Sequence, residues 1–321
     1  MRRISDDDLL ITVAKMYYEE GKHQVEIAKT LDMSQAKVSR MLTRARERGI
    51  IRISVARFNP RAEELEEQLK TRFGLNLVVV VKTSSRAPVK QVRGIVGHVA
   101  GSIIAERLRE AELIGITGGR TLRQLVNSIE LDPSYPLEVV QLMGNVNTAA
   151  TPVDAIELGR KLTVRNEGMF HMLNTPAIVS DSETCRLFSE QPQIRKVLQL
   201  YDKVDLALVG IGLLDESILF DQNVVSRKDI SYLRDAGAVG EICGRFYDET
   251  GKECQTKFRD QVISIDLEKL KTVKETIGVV VGSGRERAIH SAIRSGLVTS
   301  LVVDQQGAQA ILALDEKISK P

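Results

Sequence analysis

Gln35, Lys37, Ser39, Arg40, Thr43 and Arg44 share the outward side of one helical period, interleaved with Val38, Met41, Leu42 and Ala45 on the inward side. Amide, hydroxyl, ammonium and guanidinium groups in such a row are the side chains that read base edges and hold phosphates. Between Met33 and Arg57 there are seven cations against one anion, Glu47, although the chain of 321 residues has a formal net charge of only +2. One local face is therefore basic.

Glycines carry a second chemistry. The run Gly115-Ile116-Thr117-Gly118-Gly119-Arg120-Thr121-Leu122 ends an apolar stretch and opens an amphipathic one. Glycines let a backbone approach an anion closely, the N–H groups at the following helix start point at it, and Thr117, Arg120 and Thr121 add donors. The same loop also fits a plain strand-to-helix turn. It is neither a Walker loop, which ends in Gly-Lys-Ser/Thr, nor the dinucleotide fingerprint GxGxxG. Gly210-Ile211-Gly212 and Gly282-Ser283-Gly284 end two further apolar stretches, and after the latter Arg287 stands close to a helix N-terminus. With the Thr117 loop, that segment is expected to enclose a phosphorylated small molecule.

The basic row needs a small scaffold. Val25, Ile27, Ala28 and Leu31 give the preceding helix an apolar face, Asp32 and Met33 make a turn, and Ser34 is the N-cap of the second helix. This is the pattern of a helix-turn-helix DNA reader, with Asp32 tolerating the left-handed backbone that such a turn often needs. Ser5-Asp6-Asp7-Asp8 opens an earlier helix running to about Glu20, with Leu9, Leu10, Val13, Ala14 and Tyr17 inward. Ile51 to Val55 alternates like a short strand or wing, from which Arg52 and Arg57 can reach phosphates. Arg61 to Phe73 then reads as a helix with a narrow Leu65, Leu69, Phe73 stripe. That stripe suits either a coiled-coil seam between subunits or packing on the chain's own large domain.

From Leu75 onward apolar strands alternate with amphipathic helices, the signature of an α/β doubly wound parallel sheet. Strands are expected at Leu77 to Val81, Leu113 to Ile116, Val139 to Leu142, Val204 to Val209, Thr276 to Val281 and Ser300 to Val303. Helices are expected at Val89 to Glu110, Val153 to Thr163, Gln193 to Tyr201, Ser226 to Ala236, Arg285 to Ser295 and Ala308 to Leu314. In such sheets ligands sit where strands end and helices begin. The expected organisation is a helix-turn-helix domain over 1–57, a linker helix over 58–74 with a possible oligomerisation role, and a ligand domain over 75–321.

An apolar content of 43% allows a sizeable core. No apolar run is long enough to span a bilayer, and the start MRRISDDD lacks the hydrophobic region of a signal peptide, so the chain is expected in the cytoplasm. Cys185, Cys243 and Cys254 lie at wide, irregular spacing and read as packing residues rather than a disulfide framework or metal site. His23, His98, His171 and His290 include no pair at i, i+4, so no metal site and no cofactor is expected.

The helix-turn-helix, GITGGRTL, DLALVGIG, AGAVGEICGRFYD and GSGRERA occur in this order, and across nearly its whole length the chain resembles the sorbose-operon regulators, SorC-like bacterial transcription factors. The resemblance implies an effector domain with the fold of the glucosamine-phosphate and ribose-phosphate isomerases. It also implies a sugar or sugar-phosphate effector and an assembly of dimers or tetramers on operator DNA. Thr117, Gly119 and Thr121 match the family's phosphate loop, Glu241 matches an acidic residue that bonds sugar hydroxyls, and Arg287 matches a Lys that meets the effector's phosphate. Gly118 stands where many members have Trp, and Phe258-Arg259-Asp260 where Leu-Asn-Asp is common. The sugar end of the pocket is therefore expected to be remodelled, with Arg259 facing a more anionic effector.

Two other functions compete. A sugar-phosphate isomerase with an appended DNA-binding domain needs a positioned acid and base. In the similar amino-sugar isomerases Gly-Ile-Gly leads to Asp-Gly-His, whereas here it leads to Leu213-Leu214-Asp215-Glu216, without the catalytic His. A plain DNA-architectural protein would leave the large glycine-punctuated domain without a purpose. The expected function is a DNA-binding regulator of carbohydrate metabolism rather than an enzyme.

Overall fold

The computed structural model describes residues 6–51, 59–147, 151–164, 167–221 and 224–319. It divides into two compact units between Phe58 and Asn59.

The first unit packs helices α1 (Asp6–Tyr18), α2 (Gln24–Thr30) and α3 (Gln35–Glu47) around Leu10, Val13, Ile27, Val38, Met41 and Ala45. The Ser34 hydroxyl accepts the Lys37 N–H at 3.2 Å and so satisfies one of the orphan donors of α3. Asp32 turns the chain with φ 49°, in the left-handed region. Val25 differs from the expected inward face: it is 47% exposed. The expected wing, with Arg52 and Arg57, lies outside the described residues.

The second unit is built on a seven-stranded sheet. In chain order its strands are β1 (Leu77–Val81), β2 (Ile114–Ile116), β3 (Glu138–Gln141), β4 (Met169–His171), β5 (Leu206–Val209), β8 (Glu275–Val279) and β9 (Ser300–Asp304). A separate antiparallel hairpin, β6 (Gly240–Ile242) and β7 (Arg245–Tyr247), comes between β5 and β8. The sheet order is β1-β9-β8-β5-β2-β3-β4 and every pairing in it is parallel. Parallel strands are covered on both faces, which is why they read as apolar runs. Val79, Val81, Leu206 and Leu208 enter the core on one face, and Val78, Val80, Ala207 and Val209 the core on the other.

Helix α4 (Glu63–Phe73) belongs to this second unit. Leu69 is fully buried in the large core, with Leu65 and Phe73 packed against it. Of the two readings of that stripe, the structure therefore has packing on the chain's own domain. Buried Glu66 accepts the Val80 N–H at 2.9 Å and pairs with Arg61 at 2.7 Å, fixing the start of α4 to β1.

Between β1 and β3 the chain forms α5 (Val89–Glu110), β2 and α6 (Arg120–Ser128). Gly97 and Gly101 of α5 lie against the backbone of α6: a Cβ on Gly101 would stand 2.4 Å from the Ser128 carbonyl oxygen. The missing side chains let α6 sit tightly on α5, which sets where the N-terminus of α6 points.

Candidate functional site

The outward row on α3 is a continuous exposed surface of Gln35, Lys37, Ser39, Arg40, Thr43 and Arg44, with Ser34 at its start. Not all of the local basic charge belongs to it. Arg46 bonds the Tyr18 hydroxyl and Arg48 pairs with Asp7, so both have partners inside the small unit. The three cations of the outward row are therefore Lys37, Arg40 and Arg44.

In the large unit β2 leads on to β3 on one side while β5 leads on to β8 on the other. The gap beyond the carboxyl ends of β2 and β5 is thus a topological switch point, where ligands enter open α/β sheets. A cavity of about 240 Å³ opens there. Its wall comes from the loop after β2, the loop after β5, the β6–β7 hairpin and the segment after β8.

The first wall holds Thr117, Gly118, Gly119, Arg120 and Thr121. Thr117 is buried, and its hydroxyl accepts the Gly210 N–H at 3.4 Å, joining the two loops. The Gly119 N–H donates to the Val153 carbonyl at 2.8 Å and is therefore already occupied. The backbone donors on this side are left to the first turn of α6, whose N–H groups have no intrahelical partner. Position 118 has no room for a side chain, because a Cβ would lie 2.7 Å from the Val153 carbonyl oxygen.

Glu241 reaches the cavity from β6. Gly212 and Glu241 exchange backbone hydrogen bonds at 2.9 and 3.0 Å, so the hairpin is zipped to the loop after β5. The hairpin turns through Cys243 (φ 55°) and Gly244 (φ 78°), two left-handed residues in succession, as the tightest hairpin turn requires. That turn aims the Gly244 N–H at Glu241 Oε1, 2.5 Å away. The carboxyl group is buried, and no cation among the described residues bonds it. Burial pushes it up from 4.5 to about 7, against the lowering effect of the Gly244 bond.

The structure departs from the sequence expectation at two arginines. Arg287 is two-thirds exposed, pairs with Glu249 and does not line this cavity. The helix after β8 starts at Glu286, so Arg287 lies within its first turn on the outer side, and Arg285 at the N-cap is the residue that turns inward. Arg285 is only 7% exposed, bonds the Ile211 carbonyl at 3.3 Å and pairs with Glu216 at 2.6 Å. Burial lowers its guanidinium from the ordinary arginine value, with Glu216 opposing. Arg259 lies beside a different depression, with Arg245 and Glu253, and bonds Gln255. Neither Arg285 nor Glu216 was singled out as a site residue from the sequence; the usable signal was that Arg285 follows Gly282-Ser283-Gly284 directly.

Among the described residues no helix is long and apolar enough to cross a membrane. Residues 60–313 match the family model described as "Putative sugar-binding domain". The chain is 27% identical over 315 residues to the transcriptional regulator YjhU of Escherichia coli, covering 97% of this chain and 96% of that one. It is 27% identical over 320 residues to the sorbitol operon regulator of Klebsiella pneumoniae, covering 97% of this chain and 100% of the relative. The crystal structure of full-length SorC from Klebsiella pneumoniae superposes with a TM-score of 0.70 at 26% identity, covering 96% of this chain and all of that one, 100%. The similarity thus runs along the full length of both chains, and the chain belongs to the SorC-like family of sugar-responsive transcriptional regulators.

Proposed function

We propose that the outward row of α3 enters the major groove of operator DNA, and that the cavity at the β2 and β5 ends binds the sugar, polyol or sugar-phosphate effector that modulates this binding. Gln35, at the N-terminal end of the recognition helix, addresses base edges; Lys37, Arg40 and Arg44 address phosphates, with Ser34, Ser39 and Thr43 as supporting donors. In the cavity Thr117, Arg120 and Thr121 hold an anionic group together with Arg285, Gly118 and Gly119 leave room for its approach, and Glu241 bonds hydroxyls. Arg285 takes the role that the sequence pattern assigned to Arg287, and Arg259 has no part in it. The protein works in the cytoplasm as a homodimer or homotetramer, pairing recognition helices on half-sites. It catalyses no sugar chemistry, since Leu213-Leu214-Asp215-Glu216 replaces the His-bearing segment of the isomerases.

The observation that carries this reading is the coincidence, in one switch-point cavity, of a buried guanidinium, a helix N-terminus and a buried carboxyl group bonded by the Gly244 N–H. An effector acts by binding one conformation of the protein more tightly than another. A thermal-shift screen of sugars, polyols and their phosphates, followed by operator gel shifts with each stabilising compound, tests it. A compound that raises stability and changes operator affinity is expected. Stabilisation by compounds that all leave operator affinity unchanged would overturn the regulatory role of the cavity.

A further inference from the structure

Two guanidinium groups of the cavity wall converge on one residue, Glu216. Arg285 Nη2 meets the Glu216 carboxylate at 2.6 Å, and Arg120 Nη2 donates to the Glu216 backbone carbonyl at 2.9 Å. The partners differ sharply in exposure: the Arg285 side chain is 8% exposed and that of Glu216 is 61% exposed. Glu216 lies in the loop that leaves the β5 wall, five residues after Ile211, whose carbonyl also holds Arg285. A buried cation without a counter-ion is costly, and here the counter-ion comes from a solvent-exposed loop.

We propose that Glu216 is a built-in occupant of the cavity's anion position, a tethered competitor that every anionic ligand of the cavity must displace. The inference rests on the reading of this cavity as the effector site. A ligand carboxylate that replaces Glu216 exchanges one monoanion for another. It must also overcome a tethered competitor, whose effective concentration is on the order of millimolar. A phosphate brings a second charge and a third oxygen, so it engages Arg285 and Arg120 together and outcompetes the loop carboxylate. The competitor lowers the apparent affinity of every anion by the same factor, so it sets a threshold that a phosphate, with its second charge, passes and a carboxylate does not.

The test is calorimetry on the full chain with inorganic phosphate, at a pH where it is mostly dianionic, and with acetate as the monoanion. Wild type is compared with Glu216→Gln, Glu216→Ala and Arg285→Ala. Both Glu216 variants are expected to bind phosphate at least about fivefold more tightly than wild type, the scale of releasing a partly exposed ion pair. They are also expected to bind acetate measurably where wild type does not, and Arg285→Ala is expected to bind neither ion. Equal phosphate binding by wild type and both Glu216 variants, lost only in Arg285→Ala, would overturn the role of Glu216 and leave the cavity as an anion site. Weaker binding by the Glu216 variants would show that Glu216 builds the site rather than occupies it, and would equally overturn the inference. No binding by any of the four proteins would overturn the anion-site reading itself.

Discussion

Gly97 of α5 lies so close to Gln124 of α6 that a Cβ placed on it would stand 2.5 Å from the Gln124 carbonyl carbon. Alanine normally improves a helix interior over glycine by about 1 kcal/mol. At Gly97 the clash reverses the sign, because the neighbour is backbone and cannot rotate away. Gly97→Ala is expected to destabilise by about 1–3 kcal/mol, the usual cost of overpacking. Gly94, one turn earlier on α5, meets nothing within 4 Å. Gly94→Ala is expected to stabilise by about 0.5–1 kcal/mol. Urea denaturation of the two variants checks the pair; a gain at Gly97 would mean that the α5 to α6 contact is looser than described. Since α6 carries Arg120 and Thr121, Gly97→Ala should also weaken the effector response.

Asp315 is the buried junction of the C-terminal helix. It accepts bonds from Arg72, His290 and Arg294, and Arg294 stacks 4.7 Å above the ring of Phe73. These partners come from α4 and from the helix after β8, so one carboxylate ties three helices of the large unit together. Its bonds from Arg294, His290 and Arg72 outweigh burial and hold the carboxyl well below the ordinary carboxylate range. The folded value is depressed, so the stabilisation is present above about pH 4, the unfolded value, and fades as pH falls below it. Asp315→Ala removes the shared acceptor of the partly exposed Arg72 and Arg294 and of the His290 ring, and is expected to cost about 1–3 kcal/mol in denaturant titration at neutral pH. The difference from wild type should shrink in acid; a difference independent of pH would mean that shape, not charge, matters at 315.

Much of the fold was legible because parallel strands buried on both faces leave unbroken apolar runs such as Leu77 to Val81 and Leu206 to Val209. Helix α5 matches its expected bounds because Pro88 fixes its start and the pattern stays helical to Glu110. Strand β4 escaped because Met169-Phe170-His171 is short, on the sheet edge and half-exposed, so it carries no apolar run. The β6–β7 hairpin escaped because its turn is Cys-Gly rather than Asn-Gly. At the cavity, residue types were readable but helix phase was not: a shift of two residues separates Arg285, turned inward, from Arg287, turned out. Only the N-cap position decides between them.

Glu241 gives the folded protein a pH dependence of the opposite sign to that of Asp315. Its folded value, about 7, lies above its ordinary 4.5, so the native state holds more protons than the unfolded state between these values. Stability is then expected to fall as pH rises across that window and to level off above it. Glu241→Gln keeps an oxygen for the Gly244 N–H while removing the titration. Thermal unfolding of both proteins across the window should show a slope in wild type that is flattened in the variant. Parallel curves would mean that the carboxylate is already ionised well below neutrality.

The proposed recognition surface makes the last prediction, because its side chains divide into two kinds. Gln35 is exposed in the first turn of α3 and Arg44 a turn from the other end, and in the proposed reading Gln35 addresses base edges and Arg44 the DNA backbone. Gln35→Ala is expected to alter sequence preference with little change in binding to random DNA. Arg44→Ala is expected to weaken operator and random DNA alike and to lower the salt slope by about 1, since it removes about one phosphate contact. Arg46→Ala serves as a comparison within the same helix, because Arg46 is held by Tyr18 inside the unit. Its loss should therefore affect stability more than the salt slope. Gel-shift titrations at several salt concentrations measure all three. Operator binding that survived simultaneous alanine substitution of Gln35, Lys37, Arg40 and Arg44 would place the DNA contact elsewhere on the chain.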